Sequence, residues 1–220
     1  MNVRLNSMGT GRRLLLIRHC EDKRVRQDDP IALDRDCPLT DEGRAHANQM
    51  GRFLIQEGFK PDYAFVADCV RTKQTLQALG LALAQDRVEK SGALYSQEDI
   101  AAYVNILLRL KDLPHSERAH TVAIIGRKPQ IPQFVRTLLG GDEEGYLPFN
   151  DHDYGYGMIS CLQFTDLASW NDLYDPRTNK LAGFNLRVFA RDPETGIIRD
   201  LTEDDPAAEP AYPYYDLAPA

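Results

Sequence analysis

The chain lacks the features that mark secreted, membrane-spanning and nucleic-acid-binding proteins. Its 220 residues include four cysteines at wide, irregular spacing, with neither a Cys-x-x-Cys pair nor a zinc-ligand pattern. The longest aliphatic runs are about four residues, far short of a membrane span, and the first residues hold no apolar core of signal-peptide length. The net charge of −7 argues against a partner that is nucleic acid or anionic lipid. We therefore expect a cytoplasmic protein that binds no nucleic acid, membrane or metal.

The composition is otherwise that of a folded globular domain, with 43% hydrophobic and 27% charged residues. We expect this domain over residues 13–165, after a flexible extension over 1–12. Residues 166–201 are predicted to form a C-terminal extension packed on the domain, with a hairpin around Asp192-Pro-Glu-Thr-Gly196. No Lys or Arg follows Arg199, and the acidic, Pro- and Ala-rich tail over 202–220 is expected to be mobile. A role in covering the site and a homodimer contact both stay open for this C-terminal part.

Strand and helix patterns alternate along the domain. Strands are predicted at residues 13–18, 61–67, 88–94, 120–126 and 157–164, and helices at 40–58, 70–83, 97–110 and 130–139. Thr40 is expected to cap the first of these helices, which carries acidic residues in its first turn. This order predicts an α/β fold of three layers, α/β/α, around a mostly parallel central sheet.

The first strand ends at an arginine and a histidine. Four apolar residues, Leu14 to Ile17, suit an interior strand, and they are followed directly by Arg18 and His19. Open α/β sheets bind ligands at the carboxyl ends of their strands. A guanidinium there can bind phosphate by two parallel hydrogen bonds, and a neutral imidazole beside it can attack phosphorus.

Two further strands are followed by cations. Arg71 stands in the first turn of the helix after the second strand, where backbone N–H groups favour anions. Arg127 and Lys128 follow the buried strand that ends at Gly126. Parallel strands would deliver all of these cations to one edge of the sheet, which indicates an anion-binding site.

Three motifs stand in a fixed order: Arg18-His19-Cys20 after a strand, Leu39-Thr-Asp-Glu-Gly-Arg44 at a helix start, and Arg71-Thr-Lys-Gln-Thr75. In this order and spacing the chain resembles the histidine phosphatase superfamily, the phosphoglycerate-mutase-like proteins, over roughly residues 13–165. Within that superfamily it most resembles the small bacterial phosphohistidine phosphatases. The resemblance implies a phosphoglycerate-mutase-like fold and a reaction without metal or cofactor. It also implies that His19 becomes phosphorylated while Arg18 and Arg71 bind the phosphoryl group.

Three residues depart from the family pattern. The second histidine of the family, which follows a glycine and contacts the phosphoryl group, is Arg127 here. The glycine after the nucleophile is Cys20, and the serine four residues before the second arginine is Ala67. Arg127 either donates hydrogen bonds to phosphate or points away while His152 takes its place. A guanidinium stays charged, so at this position it cannot serve as an acid or a base.

The resemblance leaves the general acid open. In the wider family it lies after the helix of the second arginine, where Glu98 and Asp99 are candidates. A phosphohistidine substrate needs this acid less, because imidazole is a better leaving group than an alkoxide. Lys23 and Cys20, close to the nucleophile, are further candidates for contacts with phosphate or substrate.

Two functions are consistent with these residues. One is a phosphatase that hydrolyses phosphohistidine or a small phosphate monoester through a phospho-His19 intermediate. The other is a catalytically impaired relative that binds a phosphorylated small molecule or phosphoprotein, since a pocket that holds phosphate more tightly than the transition state does not turn over.

Overall fold

The first strand, β1 (Arg12–Arg18), lies in the middle of the sheet, and its side chains alternate between two apolar faces. Leu14 and Leu16 face one side, and Leu15 and Ile17 face the other, all four being fully buried. The computed structural model describes residues 11–23, 31–96, 100–113, 118–139, 149, 153–164, 166–175, 177 and 180–202. The expected N-terminal extension, except for its last two residues, and the acidic tail beyond residue 202 lie outside the described residues.

A seven-stranded sheet runs through the described residues, and its strands lie in the order β3 (Val88–Ser91), β2 (Tyr63–Ala67), β4 (Thr121–Gly126), β1, β5 (Ile159–Phe164), β8 (Asn185–Arg191) and β9 (Ile198–Asp200). Its parallel part consists of β1 with β2 (Tyr63–Ala67), β3 (Val88–Ser91) and β4 (Thr121–Gly126). The strand β5 (Ile159–Phe164) pairs with the other edge of β1 in the antiparallel direction. Because the parallel strands end at one edge, the residues that follow β1, β2 and β4 gather there.

Helices cover both faces of this sheet, which confirms the predicted three-layer α/β/α architecture. The helices α2 (Asp41–Gln56) and α3 (Val70–Leu79) pack on the face of Leu15 and Ile17. The opposite face carries α5 (Ala101–Arg109) and α6 (Gln130–Leu138). Two short helices complete the described set: α1 (Ile31–Asp36) and α4 (Ala93–Ser96).

The helices α2 and α3 lie in direct contact because the residue of α2 at the contact, Gly51, has no side chain. A Cβ at Gly51 in α2 would come 1.8 Å from the carbonyl oxygen of Leu79, the last residue of α3. This close approach fixes α3 against α2. It thereby fixes the position of the arginine in the first turn of α3.

Several element boundaries differ from the sequence prediction. The short helix α1 was not predicted, because the stretch before Thr40 has little apolar periodicity. The helix α3 ends at Leu79, where Gly80 adopts a left-handed φ of 64°, instead of reaching residue 83. The third strand ends at Ser91, and a one-turn helix takes up the remaining predicted residues.

The sheet continues beyond residue 165. The strand β8 (Asn185–Arg191) pairs with β5, and β9 (Ile198–Asp200) pairs with β8 as a hairpin. A two-residue ladder joins β6 (Tyr174–Asp175) to β7 (Lys180–Leu181). The segment between β5 and β6 is held by Trp170, whose indole N–H donates to Ala119 O at 2.6 Å and whose ring lies 5.5 Å from the Arg12 guanidinium.

Candidate active site

A pocket of about 110 Å³ opens at the carboxyl edge of the parallel strands. It is lined by Arg18, His19, Asp22, Arg71, Arg127, Lys128 and Tyr156. The pocket is smaller than the roughly 300–1,000 Å³ of drug-sized ligand sites. Its size and its four cationic side chains suit a phosphoryl group, with the remainder of a substrate outside.

His19 is held in one tautomer by the backbone. Its Nδ1 lies 2.8 Å from the carbonyl oxygen of Cys20, and because a carbonyl only accepts, Nδ1 must carry the proton. Nε2 then holds the lone pair of the neutral ring. The Asp22 carboxylate lies 3.8 Å from Nδ1, where it favours positive charge on the ring. The imidazole is therefore buried, with the lone pair of its neutral form on Nε2.

Arg71 projects into the pocket from the first turn of α3 and is almost fully buried. Its Nη1 donates to Asp34 O at 2.6 Å, its Nη2 donates to Asp34 Oδ2 at 2.9 Å, and its Nε lies 3.4 Å from Asp22 Oδ2. Burial by itself would lower the pKa of Arg71, but the hydrogen bond and charge of Asp34 and the charge of Asp22 outweigh it. The net pKa is raised, so the guanidinium stays fully charged.

Arg18 is held between two tyrosines of the segment before β5. Its Nη1 donates to the carbonyl oxygen of Tyr154, and its guanidinium carbon lies 4.1 Å from the centroid of the Tyr156 ring. The same ring lies 5.5 Å from the His19 ring. Tyr156 therefore forms a wall of the pocket beside both residues of the Arg-His motif, with 39% of its surface exposed at the mouth.

The arginine in place of the family's second histidine lies in the pocket. Arg127 follows β4, whose last residue, Gly126, pairs with Arg18 in β1 and accepts the His19 backbone N–H at 3.0 Å. Its guanidinium carbon lies 5.3 Å from the ring centroid of Tyr95. Of the two alternatives left open by the sequence, the geometry agrees with the one in which Arg127 faces the pocket.

The second and third sequence motifs are joined to each other by one amide. Gln74 Oε1 accepts the Leu39 backbone N–H at 2.8 Å and Arg44 Nη2 at 3.1 Å. This bond ties the start of α2 to α3, the helix that carries Arg71. The motif residues thus hold the frame of the pocket.

The start of α2 is also tied to the loop after the nucleophile. Thr40 accepts the Gly43 N–H at 2.8 Å, as predicted for the helix cap, and donates to Glu21 Oε2 at 2.8 Å. The backbone N–H of Thr40 donates in turn to the carbonyl oxygen of Glu21 at 3.0 Å. These bonds connect the first two motifs.

Two of the remaining predicted site residues, Cys20 and Lys23, are not among the described residues that line the pocket. The Cys20 side chain is buried with Leu39 and Ala47, and burial raises the pKa of its thiol to about 12, so it is protonated at neutral pH. Lys23 is exposed and is not among the pocket-lining residues that the structure describes. Glu98 and His152 lie outside the described residues.

Sequence reasoning missed three residues at or next to the pocket. Tyr156 lines the pocket, and Asp34 and Tyr95 contact the arginines that do. The Gly-Tyr-Gly context of Tyr156 resembles an ordinary turn, and Asp34 stands in a charged stretch without periodicity. No local pattern distinguished any of the three, because each acts through a partner distant in the chain.

Two absences concern only the part of the chain that the structure describes. Its His, Cys, Asp and Glu side chains form no group of three or more arranged to hold a metal ion. None of its helices has the length and apolar composition needed to cross a bilayer.

Solved structures similar to this chain include proteins assigned as phosphohistidine phosphatases. The protein assigned as phosphohistidine phosphatase SixA from Nakamurella multipartitia is 26% identical, with a TM-score of 0.56 over 74% of this chain and 88% of that one. The corresponding assignment from Agrobacterium tumefaciens is 17% identical, with a TM-score of 0.52 over 69% of this chain and 91% of that one. A SixA protein histidine phosphatase complexed with tungstate is 17% identical, with a TM-score of 0.51 over 68% and 86%. The last two likenesses concern the fold alone.

The sequence comparisons agree with the fold. The family model of the histidine phosphatase superfamily, branch 1, matches residues 14–94, which include all three motifs. No curated protein sequence matches the chain. In its sequence over residues 14–94, its motif order and its α/β/α architecture, the chain is therefore similar to the histidine phosphatase superfamily.

Proposed function

We propose that this protein is a phosphatase that transfers a phosphoryl group from its substrate to His19 and then to water. The observation that carries the proposal is the buried imidazole of His19, with its proton fixed on Nδ1 by Cys20 O, in a pocket that it shares with Arg18 and Arg71. A nucleophile and two guanidiniums around one small cavity are what phosphoryl transfer requires, because its catalysis is largely positional and electrostatic.

In the first step, Nε2 of His19 attacks phosphorus, and the bond between phosphorus and the leaving atom breaks with its electron pair on that atom. The ring gains positive charge as the N–P bond forms. Asp22, 3.8 Å from Nδ1, and the Cys20 carbonyl oxygen stabilise that charge. The cationic side chains stabilise the equatorial oxygens of the phosphoryl group.

In the second step, water attacks the phosphorus of phospho-His19, the N–P bond breaks, and orthophosphate leaves. The lone pair returns to Nε2, while the proton on Nδ1 keeps its carbonyl partner throughout. His19 thus ends in the tautomer in which it began.

Arg127 limits the choice of leaving group. A guanidinium cannot donate a proton to a departing oxygen, so this position adds charge stabilisation without acid catalysis. Phosphohistidine suits such a pocket, because imidazole leaves more readily than an alkoxide. We therefore propose phosphohistidine, in a protein or a small molecule, or an activated monoester as the substrate, with Glu98 as the general acid if one acts. The likeness to the Nakamurella protein supports this choice.

A second candidate function is binding of a phosphorylated partner without turnover. Arg18, Arg71 and Lys128 line the same pocket as Arg127, which favours this function because their positive charges attract a phosphate group. Together with a fixed charge at Arg127, this describes a pocket built for anion binding more than for acid-base chemistry.

The test of turnover is a pair of histidine substitutions, His19→Ala and His120→Ala. His120 is exposed and directly precedes β4, so its substitution is the control for removing a histidine side chain from the protein surface. Hydrolysis of 4-nitrophenyl phosphate and of phosphohistidine should disappear in the first variant and persist in the second. A covalent phosphoenzyme should be trapped by acid-free quenching of the wild type and of His120→Ala, but not of His19→Ala. Equal activity in both variants would refute the phosphatase assignment.

Substitution of Arg127 by histidine separates the two candidate functions. A protein that has lost turnover through this position should gain activity of at least about tenfold when the acid-base group returns. A protein in which the arginine is adapted to catalysis should lose activity instead. Parallel measurement of orthophosphate binding shows whether the pocket itself has stayed intact.

A further inference from the structure

Both hydrogen-bonding edges of Arg71 face carboxylates in this structure. Its two terminal nitrogens bond to Asp34, one to the backbone oxygen at 2.6 Å and one to Oδ2 at 2.9 Å. Its Nε faces Asp22 Oδ2 at 3.4 Å. A guanidinium binds phosphate most strongly by two parallel N–H bonds from one edge. An incoming phosphoryl group therefore meets an internal competitor at each edge of this arginine.

The two carboxylates differ in how firmly they are held. The Asp22 side chain is 2% exposed, and its backbone pairs with Leu39 in an isolated antiparallel bridge. The Asp34 side chain is 15% exposed and lies in the six-residue helix α1. An anion can therefore displace Asp34 more easily than Asp22, because Asp34 is less buried.

We propose that Asp34 competes with the phosphoryl group for Arg71 and thereby sets the affinity of the pocket for phosphate. The proposal rests on the proposed function only in taking this pocket as the phosphate site. In the empty pocket Asp34 holds Arg71 and balances its charge. When phosphate binds, the terminal nitrogens of Arg71 pass from Asp34 to phosphate oxygens. The competitor keeps a strongly cationic pocket from retaining its own product.

Tyr95 connects this competitor to the residue that departs from the family pattern. Its hydroxyl donates to Asp34 Oδ2 at 3.2 Å, while its ring lies 5.3 Å from the Arg127 guanidinium. Burial and the neighbouring Asp34 carboxylate raise the pKa of Tyr95, so the hydroxyl stays a donor. One side chain, Tyr95, therefore contacts both the positively charged Arg127 guanidinium and the Asp34 carboxylate, which offsets that charge.

The test is calorimetric binding of orthophosphate, at fixed pH and ionic strength, to the wild type and to Asp34→Asn. Removal of one negative charge beside Arg71 should tighten phosphate binding by about tenfold. Asp36→Asn is the matched control, because it removes the same charge from an exposed position of the same helix. Its phosphate affinity should stay within about twofold of the wild type. Weaker or unchanged binding by Asp34→Asn would overturn the proposal, since a residue that only positions Arg71 gives that result.

Two further measurements keep the test decisive. In an Arg71→Gln background the Asp34→Asn change should no longer tighten phosphate binding, because the shared partner is gone. If Asp34→Asn does not fold, Tyr95→Phe serves, since it keeps the ring and removes the hydroxyl that donates to Asp34 Oδ2. It should tighten phosphate binding by about threefold, and no tightening would overturn the proposal.

These binding measurements involve no turnover, so they separate this inference from the proposed function. Tighter phosphate binding in a protein without phosphatase activity would support the competitor and contradict the phosphatase. A protein that has phosphatase activity, and whose phosphate affinity is unchanged in Asp34→Asn and Tyr95→Phe, would support the phosphatase and contradict the competitor.

Discussion

The Thr75 hydroxyl accepts a hydrogen bond from the backbone N–H of Cys20 at 3.1 Å, and both residues are buried. The same hydroxyl donates to the carbonyl oxygen of Arg71 at 2.8 Å. One side chain thus connects Cys20, the residue after His19, to Arg71 on α3. We expect the distance between His19 and Arg71 to depend on this connection.

Thr75→Val should therefore impair both stability and catalysis. The substitution keeps the shape and leaves the buried Cys20 N–H without its acceptor, which costs about 1–3 kcal/mol. We expect a lower midpoint in urea unfolding and a fall in kcat of about tenfold, from misplacement of His19. Thr75→Ser, which keeps the hydroxyl, is the control and should retain most of the activity. Full activity in the valine variant would contradict this role.

Gly43→Ala should destabilise the protein despite the better helix propensity of alanine. A Cβ at this position would lie 2.2 Å from the carbonyl oxygen of Glu21, in the loop just after the nucleophile. We expect a net loss of about 2 kcal/mol in unfolding free energy, measured by denaturant titration. The control is Gly92→Ala, where no described atom lies within 4 Å of the new Cβ. An equal effect at both positions would show that steric overlap is not the cause.

Tyr156→Ala should weaken substrate binding through Arg18. The ring lies 4.1 Å from the Arg18 guanidinium at a partly exposed site, where a cation–π contact contributes about 1 kcal/mol. The KM for an aryl phosphate should rise about fivefold, with a smaller change in kcat. Tyr156→Phe keeps the ring and should behave like the wild type. A phenylalanine variant as impaired as the alanine variant would instead assign the effect to the hydroxyl.

The protein should become less stable as the pH is lowered, because His46 becomes protonated. Burial first, and Arg191 second, lower the pKa of this histidine from 6.5 to about 4, against an opposing effect of Glu21. The unfolded chain therefore binds the proton at a higher pH than the folded one. The contribution of neutral His46 to the free energy of unfolding is full above pH 6.5 and is lost progressively between pH 6.5 and 4.

Unfolding free energy, measured against denaturant across this range, should drop by about 1–2 kcal/mol on account of His46, allowing for its partial exposure. His46→Gln should flatten the profile in that window. His120→Gln, at an exposed position, should leave the profile unchanged. A wild-type profile that is flat between pH 6.5 and 4 would contradict the assignment.

Most of the fold could be predicted from the sequence because its central strands are continuous apolar runs. The stretches around Leu14 and Val122 are apolar runs of strand length, and the intervening helices show apolar periodicity, with a side-chain cap on α2. The strand direction of β5 was not predictable in the same way. An apolar run indicates a buried strand and carries no information on which neighbour it pairs with.

The site was predictable where motifs fix residues to strand ends. Arg18, His19, Arg71 and Arg127 were all expected at one sheet edge, and all four line one pocket. Their roles in catalysis stay predictions. The carboxylate on Arg71 and the aromatic wall beside Arg18 were not foreseen, because such contacts form between segments about 37 and 138 residues apart in the chain.

The antiparallel course of β5 has a consequence for how proteins of this fold can diversify. Because β5 runs against β1, its first residue pairs with Ile17, and the chain entering it arrives beside His19. Residues that precede a strand are remote from the carboxyl edge in a wholly parallel sheet, whereas here Tyr156 lines the cavity and the carbonyl oxygen of Tyr154 accepts a hydrogen bond from Arg18. The link between α6 and β5 can therefore lengthen, shorten or change composition and alter the entrance, while every strand pairing beneath it stays in register.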